Sequence, residues 1–211
     1  MNTRSAIVVA PHPDDETIAA FGLISMLRKH QTKVHVIVVT DGAASHRQSN
    51  AWPKTKLIER RQLETAAAMK LAGLDQANLS FLGLDDGGLQ DLSAKDHKTI
   101  VRAVAQKREV DLLVVPDLSD AHPDHQAIGR VLQRYGGTRS IWTYKVWPPS
   151  STPSDDCVCL DLGSIRDLKR QALRTYETQT GMITDDPQGF TITPELFDAF
   201  TGPVEYFRQA V

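Results

Sequence analysis

Short apolar segments alternate with longer amphipathic segments along most of the chain. Six apolar segments have the length of strands, and several are rich in valine and isoleucine, as buried parallel strands are: 6–10, 34–39, 79–82, 111–115, 140–144 and 157–160. Apolar residues recur at helical spacing in five other segments: 15–30, 56–74, 94–107, 123–136 and 164–178. This alternation of strands and helices predicts an α/β fold with a mainly parallel sheet.

The first apolar segment ends in a corner that carries one histidine and three carboxylates. Pro11 and Pro13 lack the backbone N–H groups that would continue a strand, so the chain leaves the sheet here. The acidic residues 14–16 then fall in the first turn of the predicted helix 15–30, where the helix dipole favours negative charge. Acidic residues at a helix start are common, so this corner alone does not define a site.

A second corner has the same construction as the first. His12 and Asp15 are three residues apart, which lets an imidazole and a carboxylate converge on one point. Nitrogen and oxygen ligands fit zinc or another borderline divalent ion, and catalytic zinc sites use three protein ligands. The third ligand is expected from residues 121–125, which follow another apolar segment that ends in a proline, Pro116. The two corners together predict one shared metal site.

Both corners match the motifs of a known family. Residues 10–16, Ala-Pro-His-Pro-Asp-Asp-Glu, and residues 122–125, His-Pro-Asp-His, resemble the PIG-L/LmbE-like zinc N-deacetylases, and weaker similarity extends over most of the chain. The resemblance implies that His12, Asp15 and His125 hold Zn²⁺, with Fe²⁺ or Co²⁺ as alternative metals.

The same resemblance implies catalytic roles for three further residues. Asp14 is the expected general base, His122 is the expected acid or oxyanion-stabilising group, and Asp124 is expected to orient His122. The implied reaction removes an N-acyl group, expected to be N-acetyl, from a small amino-sugar conjugate through attack of a zinc-bound water.

Two residues outside the corners are candidates for substrate binding. The resemblance suggests that Arg61 reaches the substrate, whereas its spacing to Glu64 equally predicts a surface ion pair on a helix. Asp41, which follows the strand 34–39, either lines the pocket or makes a turn, and the same alternatives hold for the turn at 86–88.

The shared metal site sets a condition on the order of the strands. His12 and His125 meet only if the strand 6–10 lies beside the strand that ends at Pro116. In a doubly wound sheet this occurs where the strand order reverses, as in 3-2-1-4, and ligands bind there beyond the carboxyl ends of the strands. The resemblance implies such a sheet, so we expect a single-domain, Rossmann-like three-layer sandwich over residues 1–211. A dinucleotide site is not expected, because acidic residues replace the glycine-rich phosphate loop.

The composition fits one globular domain. The 211 residues are 41% hydrophobic and 24% charged, which suffices for a sizeable core, and the net charge of −2 creates no field that would recruit nucleic acid. The sequence has neither a signal-peptide pattern nor an apolar run near the about 20 residues of a membrane span, so we expect a cytoplasmic protein. The oligomeric state stays open, and a homo-oligomer is compatible with the sequence.

Two other functions fit the same residues. A phosphoester hydrolase commonly uses two metal ions and more carboxylates, which Asp41, Asp117 and Asp120 would supply. A non-catalytic sugar-binding protein would keep the pocket without turnover, although such a protein would need neither Asp14 nor His122.

Substrate specificity is expected to come from two segments without a recognisable motif. The loop 43–53 is long for a strand-to-helix connection, and such loops often face the substrate. Within it, His46 and Trp52 either contact a sugar ring or anchor the loop. The tail 181–211 is the other segment, and its role cannot be inferred from the sequence.

Overall fold

The fold is built around one sheet, and a computed structural model describes it for residues 3–107, 109–135, 139–149 and 156–210. Seven strands in these ranges form the sheet: β1 (Ser5–Ala10), β2 (Lys33–Thr40), β3 (Leu79–Leu84), β4 (Leu112–Pro116), β5 (Ser140–Tyr144), β6 (Cys157–Asp161) and β7 (Val204–Ala210). The α-helices in the same ranges are α1 (Asp15–Lys29), α2 (Lys54–Leu71), α3 (Ala94–Ala105), α4 (Pro123–Gln133), α5 (Ile165–Arg174) and α6 (Pro194–Phe200).

The strands lie in the order β3-β2-β1-β4-β5-β7-β6. Neighbouring strands are parallel from β3 to β5, whereas β7 is antiparallel to both β5 and β6. Val8 of β1 pairs with Val36 of β2 on one side and with Val114 of β4 on the other. The expected order 3-2-1-4 is therefore confirmed, and the order reverses between β1 and β4, where the two corners meet.

Alternate side chains of the central strands enter two separate hydrophobic cores. Val8 packs into the core formed with α1, α2, α5 and α6, whereas Ile7 and Val9 pack into the core formed with α3 and α4. All three side chains are buried, as expected for a parallel sheet covered on both faces. This arrangement is the expected single-domain α/β fold, with a mixed and mostly parallel sheet between two layers of helices.

The tail 181–211 contributes a helix and a strand that the hydrophobic pattern did not predict, α6 and β7. Two side chains of β7 are buried, and one of them is charged, Glu205. Its carboxylate accepts hydrogen bonds from the backbone N–H groups of Gly22 and Leu23 in α1 and pairs with the buried Lys169 Nζ at 2.9 Å. A buried charge at an inward position weakens the alternation by which strands are recognised.

Several predicted boundaries differ from the observed ones. The helix expected to run to residue 178 ends at Arg174, and the following turns carry Thr178 and Gln179 back towards α2. The helix expected over 123–136 ends at Gln133, and Gly136 lies outside the described residues. No helix in the described ranges combines the length and apolar character needed to cross a membrane.

Candidate metal centre and active site

The first corner is closed by its own carboxylates. Asp15 Oδ2 accepts a hydrogen bond from the backbone N–H of His12 at 2.8 Å, and Asp15 begins α1. Asp14 has a positive φ of 127°, a conformation that is strained for any residue other than glycine. Its backbone N–H donates to Glu16 Oε2 at 3.2 Å, which helps to hold this conformation.

The second corner lies beside the first because β4 is the neighbour of β1. Pro123 is the first residue of α4, a position that suits proline because its N–H would have no partner there. His122 is the N-cap of this helix, and Asp124 and His125 are buried in its first turn. The sequence therefore places all three side chains at the reversal point of the sheet.

Three predicted ligands converge. His12 Nδ1 lies 3.2 Å from Asp15 Oδ2, His125 Nε2 lies 3.1 Å from the same oxygen, and the two nitrogens are 3.3 Å apart. Ligand atoms around a tetrahedral zinc ion are separated by about 3.3 Å, so these donors fit such an ion in both type and spacing. A ring nitrogen of His122 is also within 4.8 Å of ring nitrogens of His12 and His125, so the centre is histidine-rich.

The charges in this cluster are strongly coupled. Burial by itself would lower the pKa of His12 and His125, but the surrounding carboxylates outweigh it and raise the pKa of both, that of His125 to about 9. Burial would raise the pKa of Asp15, yet His125 and His12 hold it far below its usual range. The cluster therefore holds protons that a divalent cation would displace.

His12 and His125 each have a carboxylate next to the ring nitrogen that faces away from the shared point. His125 Nδ1 lies 3.2 Å from Asp120 Oδ2, and Asp120 is fixed by backbone N–H groups of Val146 and Trp147. His12 Nε2 lies 3.2 Å from both Asp86 Oδ1 and Asp124 Oδ2. Such carboxylates orient metal-binding imidazoles and raise their basicity.

Asp124 contacts His122 differently from what was expected. Its carboxylate accepts hydrogen bonds from the N–H groups of Gly87 and Leu89 and faces His12. Its backbone N–H, not its carboxylate, meets His122, donating to Nδ1 at 3.2 Å. A ring that accepts at Nδ1 carries its proton on Nε2 when neutral. Burial, reinforced by His12 and His125, lowers the pKa of His122 and favours this neutral form.

Asp14 and Arg61 form a buried pair. Arg61 Nη2 lies 3.0 Å from Asp14 Oδ2 and also donates to the Pro13 carbonyl, while Nη1 donates to the Gly42 carbonyl at 2.7 Å. Burial raises the pKa of Asp14 to about 8 in spite of the opposing effect of Arg61. The alternative of a surface ion pair between Arg61 and Glu64 is wrong, because Arg61 is buried.

Glu64, the other residue of that expected pair, contacts Arg60 instead of Arg61. Glu64 Oε1 lies 3.1 Å from Arg60 Nε. Spacing alone could not distinguish these arginines, since Arg60 and Arg61 are both within reach of Glu64 along a helix.

Asp41 lies at a turn next to the site. Its Oδ1 accepts a hydrogen bond from the Ala43 N–H at 3.0 Å, and its Oδ2 pairs with Lys54 Nζ at 2.9 Å. These contacts match the turn-making alternative, and Asp41 is not among the described residues that line the cavity beside His12 and Asp15. Asp86 and Gly87 do line this cavity.

A cavity of about 260 Å³ opens beside the cluster of His12, Asp15 and His125. It is lined by predicted site residues and by residues that the sequence did not single out: His12, Asp14, Asp15, Ile18, Ala44, Ser45, Arg61, Asp86, Gly87, His122, Val146, Trp147, Gln179 and Phe190. The rings of Trp147 and Phe190 meet edge to face, with centroids 6.1 Å apart. Isolated aromatic and amide residues of this kind leave no spacing pattern that sequence reasoning could detect.

The loop 43–53 and the tail meet at one side of this cavity. Asp185 accepts hydrogen bonds from the Ser49 hydroxyl and the Ala51 N–H, and the Phe190 N–H donates to the Ser45 carbonyl at 2.8 Å. His46 is buried against Gly189, and Lys56 Nζ covers the ring of Trp52, so both residues make the contacts of loop anchors.

Comparison with known proteins identifies the family. The sequence profile of the family described as "PIG-L: GlcNAc-PI de-N-acetylase" matches residues 7–135, which include both corners. The chain belongs to the PIG-L family. A relative from Bacillus subtilis (strain 168), a probable N-acetyl-alpha-D-glucosaminyl L-malate deacetylase 2, is 26% identical over 193 residues, which cover 85% of each chain.

Solved structures share the PIG-L fold at low sequence identity. The N,N'-diacetylchitobiose deacetylase from Pyrococcus horikoshii superposes with a TM-score of 0.76 at 18% identity, covering 99% of this chain and 84% of that one. The 4-carboxy-2-hydroxymuconate hydratase GalB from Pseudomonas putida KT2440 superposes with a TM-score of 0.71 at 17% identity, covering 98% and 95%. Because a deacetylase and a hydratase share this fold, the reaction must be argued from the site.

Proposed function

We propose that this PIG-L family member is a metal-dependent N-deacetylase that hydrolyses the acetamide of an N-acetylglucosamine unit in a small conjugate. The observation that carries the proposal is the convergence of His12 Nδ1, Asp15 Oδ2 and His125 Nε2 within 3.3 Å of one another, beside a cavity lined by Asp14 and His122. The acetylated sugar is taken from the family description and from the relatives.

The metal is proposed to be zinc, held by His12, Asp15 and His125. Two imidazole nitrogens and a carboxylate oxygen are a donor set typical of catalytic zinc, and Fe²⁺ or Co²⁺ would fit the same ligands. When bound, such an ion polarises the amide carbonyl and lowers the pKa of water at the site.

Asp14 is proposed as the general base. Its carboxylate lines the cavity, Arg61 anchors one of its oxygens, and burial raises its pKa to about 8, close to the working range of a base at neutral pH. It takes a proton from the attacking water and is then the acid that returns this proton to the departing amine.

His122 is proposed to stabilise the oxyanion. Because Nδ1 accepts the Asp124 N–H, the neutral ring presents Nε2–H as a donor, and the ring stands 4.7 Å from that of His12 between centroids. A fixed donor at the developing oxyanion favours the transition state over the planar amide.

The direct test measures release of free amine from a panel of N-acetylglucosamine conjugates, including the L-malate glycoside and diacetylchitobiose. The metal-loaded wild type should deacetylate at least one conjugate, and Asp14→Asn should keep the metal and lose turnover. Binding of a conjugate by the wild type without any amine release would instead support the sugar-binding alternative.

A second candidate function rests on a second group of potential ligands. His12, Asp86 and Asp124 also bring ligand atoms within 4.8 Å of one another, which offers a second group of donors for a phosphoesterase that uses more than one ion. Metal analysis after dialysis separates the candidates, since one tightly bound ion per chain favours the deacetylase and two favour the phosphoesterase.

A further inference from the structure

Gln179 occupies the wall of the cavity and is fully buried. Its backbone is fixed on both sides, because its N–H donates to the Tyr176 carbonyl at 2.9 Å and its carbonyl accepts the Ile192 N–H at 2.7 Å. The side chain therefore leaves the backbone from a position that the tail holds in place.

The orientation of the Gln179 amide follows from its neighbours. Its Nε2 lies 3.2 Å from Thr178 Oγ1 and 3.4 Å from Ser45 Oγ. The Thr178 hydroxyl gives its proton to Glu64 Oε2 at 2.6 Å, and the Ser45 hydroxyl donates to the Gly42 carbonyl. The Thr178 hydroxyl oxygen can therefore only accept at Gln179, so the atom that faces it is the amide nitrogen.

This orientation leaves the amide oxygen without a partner. Gln179 Oε1 is buried and accepts no hydrogen bond from the described residues. Buried polar atoms in proteins nearly always have a partner, and a buried acceptor beside a ligand cavity is therefore a position where a ligand donor belongs.

We propose that Gln179 Oε1 is a specificity-determining acceptor that binds one hydrogen-bond donor of the substrate, an O–H or N–H group of the amino sugar next to the scissile amide. The inference rests on the proposed function, since it names the part of the substrate that the same cavity binds. An uncharged acceptor selects a neutral donor, and a substrate that lacks this donor leaves the oxygen unpaired.

The experiment compares the wild type and Gln179→Met on a conjugate that the wild type deacetylates and on altered forms of it. The altered forms each lack one sugar hydroxyl, or carry an ester oxygen in place of the amide nitrogen. Loss of one hydrogen bond with a buried group left unpaired should lower kcat/KM about 10- to 100-fold. Methionine is similar in length to glutamine and lacks the acceptor.

The expected result is energetic coupling between Gln179 and one hydrogen-bond donor of the substrate. The wild type should discriminate against one altered form by this factor, whereas Gln179→Met should be impaired on the parent and show no further loss on that form. A deoxy form would assign the contact to an O–H group, and the ester to the N–H group. Equal relative rates of both proteins on every compound would overturn the proposal.

Two controls separate recognition from damage to the fold. Gln133→Met changes a glutamine of α4 whose Nε2 faces the Pro116 carbonyl, and it should retain wild-type discrimination. Metal content and thermal midpoint are measured for each variant. If Gln179→Met does not fold, Gln179→Glu, which keeps an acceptor oxygen, is compared on the same compounds and should retain the discrimination; its loss there would contradict the proposal.

The two proposals can fail separately. Dissociation constants of N-acetylglucosamine and its deoxy forms, measured by calorimetry on both proteins, test the acceptor even without turnover. Absence of deacetylation together with Gln179-dependent binding would reject only the proposed function. Deacetylation without coupling would reject only the role of Gln179.

Discussion

At the scale of single residues, the charged side chains of the site hold one another in position. Asp14 is the clearest case, because a strained backbone, the Glu16 carboxylate and the Arg61 guanidinium all fix where its carboxylate lies. Strain of this kind costs about 1–3 kcal/mol and persists only where surrounding contacts enforce it. Glu16 thus supports the backbone of Asp14, and Arg61 holds its carboxylate, so the effect of each partner can be measured by substitution.

Substitution of the proposed metal ligands and of the proposed base should separate metal binding from catalysis. His12→Ala or His125→Ala removes one of three ligands and should strip the metal, whereas Asp14→Asn should retain it and lower kcat about 10²- to 10⁴-fold. Elemental analysis of dialysed protein and assays of amine release check this. Equal metal content in all three variants would refute the assigned roles.

Loss of Arg61 should shift the pH dependence of activity. Arg61 lowers the pKa of Asp14, so Arg61→Met should raise that pKa, and less of the base is ionised at neutral pH. The rise of kcat/KM with pH should therefore move to higher pH. Arg60→Met is the matched control, since Arg60 precedes Arg61 on the same helix and pairs with Glu64 and with Glu177, a residue that follows α5. A profile that moves equally in both variants would exclude this role for Arg61.

At the scale of elements, helix α1 receives an unusual buried contact from β7. Glu205 accepts hydrogen bonds from the N–H groups of Gly22 and Leu23, and Lys169 Nζ donates to the Ile18 carbonyl at 2.7 Å. A Cβ atom at position 22 would stand 3.0 Å from the Glu205 carboxylate and 2.1 Å from Leu162, so this close approach requires glycine. The contact fixes α1 about two turns after its first residue, Asp15.

Breaking the Lys169–Glu205 pair should destabilise the fold. Lys169→Met leaves a buried carboxylate without its partner and should lower the free energy of unfolding by about 3–5 kcal/mol. Adding Glu205→Gln should recover part of this loss, because the uncharged amide oxygen still accepts from α1. Urea denaturation of both single variants and the double variant measures the effect, and simple additivity would contradict it.

The strand pair β2–β3 should make stability depend on pH. Burial, assisted by Lys107, lowers the pKa of His35 to about 4, and its Nε2 lies 2.9 Å from Ser80 Oγ. His35 therefore binds a proton more readily in the unfolded chain than in the folded one. The contribution of neutral His35 to the free energy of unfolding is complete above about pH 6.5 and is lost as the pH falls towards 4.

The size of this effect is on the order of 3 kcal/mol at the acidic end. His35→Gln keeps a hydrogen-bonding side chain without the titrating ring, so it should flatten the decline between pH 6.5 and 4. Chemical denaturation across this range provides the measurement. An unchanged decline in the variant would assign it to other groups.

At the scale of the whole molecule, the sequence predicted the parts of the structure that depend on pattern. Six strands follow from apolar segments and prolines, whereas the order 3-2-1-4 was expected from the family resemblance and from the condition that His12 and His125 share one metal site. The contacts among side chains did not follow, since spacing cannot tell that Asp124 faces His12 or that Arg61 reaches Asp14. The strand β7 was missed because the charged Glu205 occupies one of its inward positions.

The tail and the loop 43–53 were both expected to set specificity, and the structure brings them together. Asp185 and Phe190 of the tail bond to the loop, and Phe190 lines the same cavity as Ser45. Their effect on substrate choice stays a prediction. Phe190→Ala should therefore change relative rates among conjugates more than it changes metal content, and parallel losses on every conjugate would argue against it.

The cavity is formed by segments that lie far apart in the sequence, and this bears on how substrate preference can change among relatives. The two corners are short and fixed by the sheet, whereas another part of the cavity wall comes from a distant segment that a few hydrogen bonds attach to the loop 43–53. We therefore expect that exchange of residues 185–190 between relatives would leave the two corners intact and transfer the substrate preference of the protein that supplies the segment.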